Sequence, residues 1–195
     1  LAARAEEAEG EELRCKGQAE AGYRGLENRL YRVEIPSGGD AGAATFKWSR
    51  DNGVVVFPVQ KMQVQGGKST LTLKQAGKDE VLTLHVGDWV EILGDKSELA
   101  LKSGTMVQVA SESDGTDIAK GIVVLMADLS AHQGEGHLKV RRWDQKADST
   151  TMLTAGVIRI AADQWVPLEN GVEVCFKAGD YQTGDYWMIP ARTKV

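Results

Sequence analysis

The chain has 195 residues, 42% hydrophobic and 26% charged, with a net charge of −5. That is long enough for one compact domain or two small ones with a real core, and it lacks the basic field expected of a nucleic-acid binder. No apolar run approaches the ~20 residues of a membrane-spanning helix, and the 22 glycines follow no Gly-X-Y period, which excludes collagen.

The chain begins at Leu1 and is expected to be a piece of a longer protein. Residues 1–20 carry six glutamates against Arg4, Arg14 and Lys16. Gly10 and Gly17 interrupt any helix there, and no wide apolar face exists to dock one. This stretch reads as an Ala/Glu-rich linker or a frayed helix. Cys15 and Cys175 are the only cysteines; two thiols make no disulfide framework, and both are expected to be free.

From residue 21 the period changes to two. Tyr31, Val33 and Ile35 share one face and Arg32 and Glu34 the other, the pattern of a half-buried strand. Phe46 and Trp48 point inward from the next strand, 44–50. Asp51-Asn52-Gly53 follows at once, then Val54–Phe57. Asn-Gly between two apolar runs supplies the positive φ of a tight hairpin, so 44–50 and 54–57 are expected to pair. Further strands are expected at 69–74, 81–86, 89–93, 105–109, 121–126, 137–144, 157–160, 172–176 and 186–189, with Pro190 ending the last. Gly87-Asp88 and Gly184-Asp185 each place a turn before an aromatic strand start.

Short strands at this spacing indicate an all-β fold, a barrel or sandwich body over 21–195. A second small barrel is expected as an insertion at about 54–130. The strands at 44–50 and 138–144 would then share one sheet.

The chemistry-bearing motifs are weak. Gly67-Lys68-Ser69-Thr70 resembles the end of a phosphate loop, but the first glycine of that motif would fall on Met62, and a strand follows where a helix is needed. His132 and His137 bracket a glycine loop, with Asp128 and Glu135 in range, which is a poor match to a zinc site. Cys175 alternates with Glu173 and Lys177 and is expected to face away from the core, with no partner histidine identifiable. No Gly-x-Ser-x-Gly elbow is present. No catalytic residue, cofactor or metal is expected. Lys139, Arg141 and Trp143 share one strand face. They form a candidate stripe for contacting a partner, or else arginine stems covering a barrel edge.

Five stretches in order carry a resemblance: Tyr23–Ile35, Ala44–Gly53, Val86–Glu91, Arg141–Asp144 and Gly184–Arg192. Together they resemble an uncharacterised bacterial domain family associated with phage-tail-like contractile injection systems. The resemblance implies a non-catalytic structural or interaction domain of a larger particle protein. Its partners would be other particle or baseplate proteins, with no nucleic acid and no membrane span, and an oligomer is compatible. Its location would be a cytoplasmic assembly or a released extracellular particle. The rival reading is a surface-binding module that recognises glycan or protein.

Overall fold

The structure, a computed structural model, describes residues 1–5, 22–75, 77, 81–100, 102–148 and 151–193. Among these residues the fold is all-β, with sixteen strands, one short α-helix and three single-turn 3-10 helices. Among the described residues no helix is long and apolar enough to cross a membrane. The chain divides into two compact units. Unit 1 comprises residues 1–52, 147–152 and 158–195, and unit 2 comprises 53–146 and 153–157.

Unit 2 is a small barrel. Its strands are β5 (Val56–Gln65), β6 (Lys68–Leu73), β7 (Trp89–Leu93), β8 (Thr105–Gln108), β9 (Ile122–Leu125) and β10 (Lys139–Trp143). They lie in the order β8-β7-β10-β5-β6-β9. The two outer strands are joined where Val109 and Leu125 form an antiparallel bridge. Beside it the Ala110 N–H donates to the Val124 carbonyl at 2.9 Å. Alternation then decides what fills the barrel. Phe57, Leu71, Leu73, Val90, Ile92, Val107, Val123, Leu125 and Val140 all point inward and are buried as one aliphatic cluster. Gly66 and Gly67, both at positive φ, close the β5–β6 hairpin between Gln65 and Lys68, as a two-residue turn with right-handed strand twist requires. The apparent phosphate loop is therefore this hairpin. A short helix α1 (Asp95–Leu99) follows β7.

In unit 1, β2 (Arg29–Ser37) lies between β4 (Thr45–Ser49) and β16 (Tyr186–Ala191). The two-residue β11 (Leu153–Thr154) falls in the short second segment of unit 2, while in unit 1 β4 pairs with β12 (Val157–Arg159) through Ile158 and Arg159. A three-stranded sheet joins β1 (Ala2–Ala5), β14 (Val172–Cys175) and β13 (Trp165–Glu169), and β3 (Gly39–Asp40) pairs with β15 (Asp180–Tyr181). The core here is aromatic. Phe176 packs on Phe46 at 4.8 Å between ring centroids, Tyr181 at 5.6 Å and Trp187 at 6.0 Å. Charge is also buried. Lys47, fully buried, pairs with Glu34 at 3.2 Å, and Glu34 also binds Arg32 at 2.7 Å. The Tyr31 hydroxyl donates to Glu169 at 3.1 Å. Burial, and then the Glu169 charge, push its pKa well above the usual tyrosine value.

Several expectations are corrected. Strands 44–50 and 54–57 form no hairpin: β4 pairs with β2 and β12, and β5 with β6 and β10. Asn52 and Gly53 do adopt positive φ, but they carry the chain from unit 1 into unit 2. The strands at 44–50 and 138–144 also lie in different sheets, because β10 is held between β5 and β7 inside the barrel. The inserted unit thus runs to Lys146 and not to about 130.

Residues 81–86 form no strand. Leu84 alone enters the core, and the carbonyls of Val81 and Thr83 accept from the buried Arg142 guanidinium instead of a neighbouring strand. Pro190 does not end the last strand. It pairs opposite Leu30 in β16, which an edge strand permits because one of its sides needs no N–H. Within the N-terminal stretch, Ala2–Ala5 form a strand on β14; the remainder of that linker or helix reading, and Cys15 with it, lies outside the described residues. Cys175 is a free thiol, but it is buried, on the middle strand of its sheet between Ala2 of β1 and Trp165 of β13.

The two Gly-Asp turns share one device. Asp88 accepts from the His85 N–H at 2.8 Å and donates its own N–H to the His85 carbonyl. Asp185 does the same with Gln182, at 3.3 Å for the side-chain bond. Gly87 and Gly184 take the positive φ of the third turn position.

Candidate functional site

One concavity on unit 2 arises where two segments part company. β10 and β5 pair only through Val56–Pro58, and the last bond between them is Val59 N–H to the Leu138 carbonyl at 2.8 Å. Beyond it β5 continues along β6, while the other strand turns back into the loop 130–138. The gap is an open groove of about 560 Å³.

Its floor is apolar, made by Val59, Met62 and Leu138, and its rim is basic, with Lys61, Lys74, Lys139, His132 and His137. Lys139 is neutralised by Glu98 at 2.7 Å. Lys61 and Lys74 are exposed and, among the described residues, have no carboxylate partner.

The loop wall is held by carboxylates. Glu135 is almost wholly buried. One oxygen pairs with His132 Nδ1 at 2.8 Å, and the other accepts from the Lys96 N–H at 2.8 Å, at the start of α1. Burial pushes its pKa up, but the bonds from His132 and from the Lys96 and Ser97 N–H groups outweigh it, and the net displacement is downward. A side chain on Gly94 would meet the Glu135 carboxyl carbon at 2.5 Å, so a larger residue there would have to displace the Glu135 side chain. His137, 88% exposed at its side chain, pairs with Asp95 at 3.0 Å.

His132 Nε2 lies 2.9 Å from the Thr105 hydroxyl. Thr105, His132 and Glu135 therefore stand in the hydroxyl–imidazole–carboxylate order of nucleophilic enzymes. Thr105, however, does not line the groove. The three groups tie β8, the loop and α1 together. The two histidines face different carboxylates, and among the described residues no group of three His, Cys, Asp or Glu is placed to hold a metal.

The candidate stripe separates on inspection. Lys139 lines the groove. Arg141 is half-buried opposite Glu91. Trp143 is 1% exposed, and its indole N–H donates to the buried Glu91 at 2.9 Å. Its ring is thus not available for stacking on a ligand. Lys61, Lys74 and Thr105 were not legible as site residues. The Gly66-Gly67 pair was a usable signal for the first two. Read as a hairpin tip, it sets Lys61 opposite Thr72 and brings Lys74 to the same end.

A protein-family model, described as a family of unknown function (DUF6519), matches residues 1–194. No curated protein and no solved structure matches the chain.

Proposed function

The chain belongs to DUF6519, a family of unknown function, and we propose that it is a non-catalytic structural and interaction domain of a larger phage-tail-like particle protein. The observation that carries this reading is the outer strand of unit 1. Among the described residues β16 has a neighbour on one side only, and it presents Tyr186 at 50% and Met188 at 53% exposure. An apolar strand edge of this kind suits joining to another protein. The sequence stretches that resemble domains of contractile injection systems supply the context. Its partners would then be baseplate or other particle proteins, met during cytoplasmic assembly and retained in a released particle.

The test places a photo-crosslinking residue at Met188 in the parent protein, expressed in its native host. The expected result is a crosslink to another protein of a sedimenting particle. A parent protein that never sediments with particles would sink the proposal.

A second reading, a surface-binding module, is favoured by the basic groove of unit 2. It fits a protein ligand better than a glycan, since Trp143 offers no ring for sugar stacking.

A further inference from the structure

We infer that the groove between β5 and the 132–138 loop takes an extended acidic peptide, which adds as a strand to the open edge of β5. The inference rests on the chain being an interaction module, and it names the chemistry of one partner.

Three observations converge. The first is the unfinished ladder. β5 has ten residues, but β10 pairs with only Val56, Phe57 and Pro58. From Gln60 onward the β10-facing edge of β5 has no backbone partner among the described residues. A row of unpaired N–H and C=O groups is a template for an added strand. The groove runs along β5 from Pro58 to Met62, and the open part of that edge, Gln60 to Met62, spans roughly 10 Å of extended chain. The second is the floor. Val59 and Met62 are partly buried hydrophobics packed against the barrel core, and they offer an apolar seat for alternate side chains of the incoming strand. The third is charge. Lys61 and Lys74 stand exposed at the rim without carboxylate partners among the described residues, while Glu135, the acid among the groove's lining residues, is held by His132. Asp95 and Glu98 lie outside the lining and are engaged by the rim residues His137 and Lys139. Carboxylates on an incoming segment would complete the rim.

A nucleic acid is the less favoured occupant. The chain carries a net charge of −5, and neither an apolar floor nor an open backbone edge is a device for holding phosphates.

The experiment uses the 195-residue chain and a fluorescein-labelled octapeptide alternating glutamate and valine, with a lysine–valine octapeptide as control, read by fluorescence anisotropy. The acidic peptide should bind and the basic one should not, with binding weakening as salt is raised. The double variant K61E/K74E should weaken binding by about tenfold or more, since both changes are at exposed positions facing the ligand. An unchanged tryptophan emission spectrum will establish that the variant remains folded. Equal binding of both peptides, undiminished binding by K61E/K74E, or displacement by single-stranded DNA as effective as by unlabelled peptide each overturns the inference. The same double variant in the parent protein separates this from the broader reading. Loss of peptide binding with normal entry into particles supports the groove as a site beyond the assembly contact. Absence of the wild-type parent from particles, with peptide binding intact, refutes the particle role and leaves the groove standing.

Discussion

The two units solve the same packing problem with different materials. Unit 2 builds one sheet, bends it until Val109 meets Leu125, and fills it with aliphatic side chains. Unit 1 uses several small sheets, a cluster of aromatic rings, and ion pairs taken out of water. The barrel can rely on period-two alternation alone, because a closed sheet has one inside and any branched aliphatic residue fits there. The open sheets of unit 1 have no such enclosure. Their core depends on ring geometry and on charges that must find each other, so it should be less forgiving.

The largest expected effect tests that difference directly. Phe176 touches three other rings, and Phe176→Ala should cost about 4 kcal/mol, measured by chemical denaturation. Next comes the buried charge. Glu34→Ala removes a partner of the fully buried Lys47 and should cost about 3 kcal/mol, whereas the double change E34L/K47M should recover most of it. A double variant as unstable as the single one would show that the pair contributes more than mutual compensation. The barrel should yield less readily. Leu71→Met, at a fully buried position, should cost no more than about 1.5 kcal/mol; a larger loss would erase the contrast between the two cores.

The smallest effect is electrostatic. The Glu135 carboxyl titrates below its ordinary value in the folded chain. Its contribution is therefore fully present above the unfolded carboxyl pKa of about 4.3 and is lost as pH falls through the folded value. Thermal melts of the wild type and of Glu135→Gln, compared from about pH 6 down to about pH 3, should differ most at the upper end and converge at the lower.

The contrast also explains what was legible in the sequence. Alternation in Leu71-Thr72-Leu73 or Val90-Glu91-Ile92 marks strands whose inner face is set by neighbours of the same kind, and these strands are found where expected. Partnering was far less legible. Asn52-Gly53 has the conformation of a hairpin turn and is not one, because local backbone preference fixes φ but not which strand lies alongside. In unit 1, β1 pairs with β14, and Arg4 meets Glu173 across 169 residues. No local pattern encodes such a pairing. The segment 81–86 looked like a strand because it alternates. It lost that role to Arg142, whose buried guanidinium needed carbonyl acceptors. In the candidate site, Lys139 was visible as one member of a stripe. The burial of Trp143 was not, since it depends on Glu91 standing opposite as an acceptor.

The six barrel strands all fall between residues 56 and 143, whereas β2 and β4 wait for partners that begin at residues 157 and 186. During synthesis, which proceeds from the N-terminus at ~5–20 residues per second, the barrel has all its strands while the first sheet still lacks half of its own. The ribosome would therefore release the middle of this protein as a finished body before its beginning has folded. Pulse proteolysis of stalled nascent chains should recover a protected fragment from the middle first.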